Sequence, residues 1–307
     1  MRNSPTQAEI NDLFNNADDP EIVWSKVVDT VRRVNPDYDF LLVRSVFDDI
    51  MRLFRGEYPG YGPIRTLYHD LAHTLEDLIC GVLQLHGEHA SGDRLNDEEI
   101  TLIVLAIMMH DVGYAQRWEE ENGTGAQFTQ THVQRGVDFM RGYFAARNFA
   151  PGLAAAVEDM ILGTEHNRPF GRIAFTDERS RMLARIVATA DITGQMADRI
   201  YLEKLLFLYL EFKEAHFGSY QSMYDLLCQT HRFYETTREK LDGALGGIYK
   251  NFEFHFRETM GVENNFYLEA IEKNMAYLSK VVANDHAEFM HMLKRNGVAE
   301  KSNLLAI

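Results

Sequence analysis

From Ile22 onward the apolar residues recur at spacings of three and four, and alternating strand-like runs bounded by turn residues are hard to find. The pattern predicts an all-α chain. Asn96, followed by Asp97, Glu98 and Glu99, supplies an N-cap, acidic residues against the positive helix end and a capping-box glutamate. It launches an apolar helix, Ile100 to Met109, that ends at His110. Thr176 with Asp177 and Glu178 is a second start, whose face of Met182, Ile186, Val187 and Ala190 carries Asp191 inward. Between Gly56 and Pro63, three glycines and two prolines break any helix and lead as a loop towards Tyr68. Residues 117–125 read as an exposed, Glu-rich loop that can act as a lid. Beyond Asp198 long helices follow, among them Tyr201 to His216 and Phe266 to Val282, expected as scaffold, pocket wall or dimer face.

The chain has 307 residues, enough for a large core, and no Pro, Gly or Ser-rich linker divides it. A net charge of -15 argues against a nucleic-acid polymer as partner, since such binding draws on Lys and Arg neutralising phosphates. Cys80 and Cys228 both lie in apolar helical patterns, which predicts buried reduced thiols and a cytoplasmic setting. The N-terminus lacks the apolar core of a secretory signal and no stretch is long enough to span a membrane. A homodimer through the C-terminal half is compatible with so many amphipathic helices.

The chemistry concentrates elsewhere. His110-Asp111 follows the run Ile103 to Met109, where two polar groups are costly to bury unless a cation sits between them. His69 and His73 are four apart, so on a helix both imidazoles share one face. His132 begins a helix-like stretch to Tyr143, and His166 closes the apolar face Val157, Met160, Ile161. His73, His110, Asp111, His132, His166 and Asp191 thus form a candidate set of six nitrogen and oxygen donors, suited to one or two ions of the zinc, iron, manganese or magnesium kind. His86, His89, His216, His231, His255, His286 and His291 stand outside this set and read as structural or exposed.

The order His73, His110-Asp111, Asp191 on helices resembles the HD superfamily of metal-dependent phosphohydrolases, over roughly residues 65 to 195. Tyr68 to His73 is also similar to the Tyr-His-Asn-x-x-His signature of the class I cyclic-nucleotide phosphodiesterases, with Asp70 in place of the asparagine. Tyr114 stands where the HD-GYP phosphodiesterases and the inositol oxygenases carry a lysine. The additional His132 and His166 are similar to those of binuclear members.

The resemblance implies an HD-domain bundle with an N-terminal helical elaboration over residues 1–64, a metal-dependent core over 65–195 and C-terminal helices over 196–307 packed on it. It implies a phosphodiesterase acting on a nucleotide or cyclic nucleotide, with His69 as proton donor and His73 as ligand. Two divalent ions (Mn, Mg, Zn or Fe) are expected to share Asp111 and to activate a water for in-line attack on phosphorus. Arg135, one turn beyond His132, and Arg168, two residues after His166, are the basic groups expected to reach a substrate phosphate. The alternatives are a di-iron oxygenase built on the same ligands and a non-catalytic sensor or scaffold stabilised by metal.

Overall fold

The structure, a computed structural model, describes residues 5–6, 10, 13, 19–120, 122–166, 168–284 and 288–305. Of the histidines named above, His286 lies outside them. Among the described residues there are α-helices and short 3-10 turns and no strand, only an isolated bridge between Tyr61 and Arg117. The helices are α1 (Pro20–Val34), α2 (Leu41–Phe54), α3 (Leu71–Ser91), α4 (Asp97–Met109), α5 (His132–Ala146), α6 (Pro151–Thr164), α7 (Glu178–Ala197), α8 (Tyr201–Glu214), α9 (Met223–Asp242), α10 (Phe252–Met260), α11 (Phe266–Val282) and α12 (Val298–Leu305).

The all-α expectation therefore holds, and local chemistry sets most starts. Asn96 and Glu99 close the capping box of α4, with backbone-to-side-chain bonds of 3.0 and 2.9 Å. In α7 the cap is Asp177, whose carboxylate accepts from Ser180 N at 2.7 Å; Thr176 stands one residue too early for that reach. Asp70 caps α3 by accepting from His73 N at 3.0 Å. His69 consequently precedes the helix instead of sharing a helical face with His73. Helix α8 stops at Glu214, and His216 adopts a left-handed φ of 50°, so the helix is shorter than the apolar pattern implied.

Helices α3 and α7 form the centre, with α4 and α6 packed beside them and α1 and α10 covering α3. The apolar run of α4 is buried from Leu102 to Met109, and α3 is buried from His73 to Glu88 except at Glu76. The approach of α3 to its neighbours depends on glycine. A Cβ on Gly194 of α7 would lie 2.3 Å from Asp77 Oδ1, and one on Gly81 of α3 would lie 2.1 Å from Ile107 Cδ1. Cys80 is buried as expected, beside the Thr193 hydroxyl at 3.1 Å, whereas Cys228 is exposed on α9. No helix among the described residues is long and apolar enough to cross a membrane.

Candidate metal centre and its cavity

Four elements meet at the centre: the start of α3, the end of α4, the start of α5 and the middle of α7. His73 and Asp77 are one turn apart on α3, so both project from one buried face. His73 Nε2 lies 3.2 Å from Asp77 Oδ2 and 3.4 Å from Asp111 Oδ2. His110 Nε2 lies 3.3 Å from Asp111 Oδ2, 3.6 Å from Asp77 Oδ2 and 4.0 Å from Asp191 Oδ1. His132 Nε2 approaches the other oxygen, Asp111 Oδ1, at 3.5 Å. Asp111 thus presents one oxygen to His73 and His110 and the other to His132.

The tautomers follow from the backbone. His110 Nδ1 donates to the Ile107 carbonyl and His132 Nδ1 to the Thr129 carbonyl, each at 2.7 Å. In neutral imidazoles this leaves a lone pair on each Nε2, facing carboxylate oxygens that are acceptors too. Asp77 Oδ1 and Oδ2, His110 Nε2 and Asp111 Oδ2 are buried without a hydrogen-bond partner. Acceptors facing acceptors in a dry interior repel unless a proton or a cation lies between them. With protons alone, burial and the neighbouring Asp191 push the Asp77 carboxyl well above its ordinary range. Burial opposes a charge on His110 too, but Asp111, Asp191 and Asp77 outweigh it and drive its pKa well up. A divalent ion removes the same conflict, and the donor set fits one. The donor atoms of His73, Asp77, His110 and Asp191 lie within 4.8 Å of one another, as do those of His69, His73 and Asp111.

His69 is held from a distance in sequence. Glu211 of α8 accepts from Tyr68 N at 2.6 Å and His69 N at 3.2 Å through Oε1, and pairs with His69 Nδ1 at 2.6 Å through Oε2. Burial disfavours charge on this imidazole, but Glu211, Asp111 and Asp191 raise its pKa to about 8. Tyr114, fully buried, stacks on both His69 and His132, with ring centroids 4.8 and 4.6 Å away and planes tilted by 17° and 13°, and the two imidazoles are themselves 6.1 Å apart. Tyr68 OH donates to Gln195 Oε1 at 2.7 Å, and Gln195 Nε2 donates to Asp191 Oδ1 at 3.1 Å, which orients that carboxylate.

His69, His110, Asp111, His132 and Asp191 open onto a cavity of about 270 Å³. Two of the expected residues take other places. His166 lines this cavity at an exposed turn, its ring 5.1 Å from Phe233, because α6 ends at Thr164 before it can point inward, and neither His166 nor His132 is in a donor group. Arg135 does not line the cavity: its guanidinium donates to the Gly113 and Ala115 carbonyls and to Glu120, and lies 3.5 Å over the Phe128 ring. It is a clamp on the loop after His110-Asp111. Arg168 does line the cavity, paired with Glu165 at 2.9 Å. No described residue of the expected lid, 117–125, lines the cavity; Thr129 to Gln134 do so instead. Asp77 and Glu211 were not singled out in the sequence. The first carries a signal, its four-residue spacing from His73.

A family model described as Npun_R2479-like matches residues 118–242, less than half of the chain. The matched stretch contains His132, Asp191 and Glu211 but stops short of His69, His73 and His110-Asp111. No curated protein and no solved structure matches the chain. The stretch from 118 to 242 is thus similar to that family, and the donor cluster straddles its boundary.

Proposed function

We propose that the protein is a metal-dependent phosphohydrolase of the phosphodiesterase type, built on an HD-like helical core. The observation that carries this reading is the set of buried, partnerless acceptors on His110, Asp111 and Asp77, set beside a cavity and a histidine whose proton is stabilised by Glu211. A structural ion needs only about four donors and no cavity, whereas this cluster offers more than four and opens onto one.

His73, Asp77, His110 and Asp191 would hold a divalent ion, and Asp111 stands beside it with Oδ2 towards His73 and His110 and Oδ1 towards His132. When bound, such an ion supplies positive charge that polarises a phosphoryl oxygen and acidifies water. Glu211 fixes the ring of His69 through Nδ1, which leaves Nε2 as the atom that carries and releases a proton. With a pKa of about 8 that proton is present at neutral pH, ready for a departing alkoxide. His69 is also in the second donor group, and the two roles exclude each other, because a protonated nitrogen has no lone pair to offer.

The test is metal analysis of chelator-free protein together with hydrolysis of bis(4-nitrophenyl) phosphate under Mn, Mg, Zn or Fe. His69→Ala is expected to lower turnover by about 10² to 10⁴-fold with metal content unchanged, and Asp111→Ala to lose metal. Equal metal loss in both variants removes His69 from the acid role. Bound iron with dioxygen uptake and no hydrolysis replaces the proposal with an oxygenase on the same ligands.

A further inference from the structure

The wall of the cavity beyond the donor cluster carries its own information. Met196, Leu208, Phe212, Phe217 and Phe233 line it, and apart from Met196 each is only partly buried. Phe212 and Phe217 stand 5.0 Å apart, and Phe233 leans on His166. These rings present apolar surface to the cavity, where a ligand of the same character would gain by displacing water.

Several of the polar side chains among them are already engaged. Thr129 and Thr164 donate to the Ala126 and Ile161 carbonyls at 2.7 and 2.8 Å, and Gln134 donates to Asp138 at 3.1 Å. Gln195, the buried-side amide nearest the cluster, is held by Tyr68 and Asp191 at both ends of its side chain. What remains to read the edge of a base or the hydroxyls of a sugar is Gln130 and His166 at the exposed rim and the buried Tyr114 hydroxyl. The charge balance points the same way. Asp111, Asp191 and Glu165 line the cavity, no lysine among the described residues does, and its one arginine, Arg168, is tied to Glu165. A chain of phosphates would find few cations beyond a bound metal.

We infer that this cavity takes a phosphodiester monoanion whose body is aryl or alkyl, in place of the nucleotide that the sequence implied. The inference rests on the reading of the site as a phosphodiester centre, and narrows it. Its carrier is the row of partly exposed phenyl rings, with few uncommitted polar side chains between them.

Isothermal titration of the Mn-loaded full chain with diphenyl phosphate and with 3′,5′-cyclic AMP compares two monoanionic diesters that differ in body. Diphenyl phosphate is expected to bind at least about 10-fold more tightly, since each well-buried ring contributes that much or more. Phe212→Ala and, as a milder change that keeps apolar volume, Phe233→Leu are expected to weaken it by about 10-fold and about 3-fold, with metal content unchanged. Equal or tighter binding of cyclic AMP, no binding of diphenyl phosphate, or affinity unmoved in both variants overturns the inference. Retention of this binding order without any metal-dependent hydrolysis of bis(4-nitrophenyl) phosphate overturns the hydrolase reading and leaves the ligand class standing.

Discussion

Helix α3 buries polar groups at both of its ends, and they are arranged in opposite ways. Near its start, His73 and Asp77 meet His110, Asp111 and Asp191, acceptor against acceptor. Near its end, Gln84, His86 and Glu88 meet donors. Gln84 Nε2 donates to Glu88 Oε1 and the Ile248 carbonyl, both at 2.7 Å, Asn251 Nδ2 donates to both Glu88 oxygens at 3.0 Å, and His86 and His255 bond through their Nδ1 atoms at 3.1 Å. Only Gln84 Oε1 is left without a partner in that group. The protonation states diverge accordingly. Burial depresses His86 to about 4 and His255 to about 3, and pushes Glu88 up to about 7, so at neutral pH the two histidines are neutral and Glu88 is only partly ionised. Around His69 and His110 the carboxylates overcome burial and favour charge. A buried histidine is thus not evidence of a site; unmatched lone pairs around it are.

The comparison breaks most decisively through metal content. Asp77→Ala is expected to weaken metal binding by more than about 100-fold, beyond the usual effect of an outer partner, whereas Glu88→Gln is expected to bind metal like the parent. Elemental analysis and competition with a chromogenic chelator read both, and metal loss in the Glu88 variant would erase the distinction drawn here. The next effect is on stability against pH. For His86 and His255 the folded pKa lies below the ordinary 6.5, so the unfolded chain binds more protons below that value. Their contribution is complete above pH 6.5 and is lost as pH falls towards about 4 and then about 3. Each unit of depression corresponds to about 1.4 kcal/mol. Urea unfolding at pH 7 and pH 5, in about equal ionic strength, should show a smaller loss for His255→Gln than for the parent; equal slopes would mean the pair does not titrate with folding. The smallest effect is at the cap. Asp70→Ala should cost about 1 kcal/mol in urea unfolding and Asp70→Asn under about 0.5 kcal/mol, because Asn and Asp cap equally well. A large loss in the Asn variant would show that the Asp70 charge, and not its hydrogen bond to His73 N, matters.

Much of this arrangement was legible in the sequence, for a physical reason. His73, His110, Asp111 and Asp191 interrupt apolar helical faces, and a polar residue in such a face is conspicuous. Asp77 is on the same face as His73, yet Glu76 beside it makes the pair read as a solvated acidic step. In the fold Glu76 turns to Lys204, at 2.8 and 2.9 Å, and only Asp77 enters the cluster. Glu211 had no local signal at all. It sits on an amphipathic helix 142 residues after His69, and only tertiary packing brings the two together. The same blindness explains Arg135 and His166: spacing put them near the donors, but rotation about α5 and the end of α6 decided where their side chains went.

The contact between α3 and α7 has one more implication. Asp77 reaches its place because residue 194 has no side chain, and Gly81 lets α3 nest equally closely against Ile107. The gap that receives Asp77, opposite Asp191 on the same α7, therefore depends on how closely α3 can sit, over the bare Gly194 at one contact and with Gly81 under the tip of Ile107 at the other. Small hard cations sit about 2.1 Å from their donors and calcium about 2.4 Å. A side chain at either glycine would displace Asp77 or the helix that carries it, so on the proposed reading the fit of an ion depends on two residues that would never touch it.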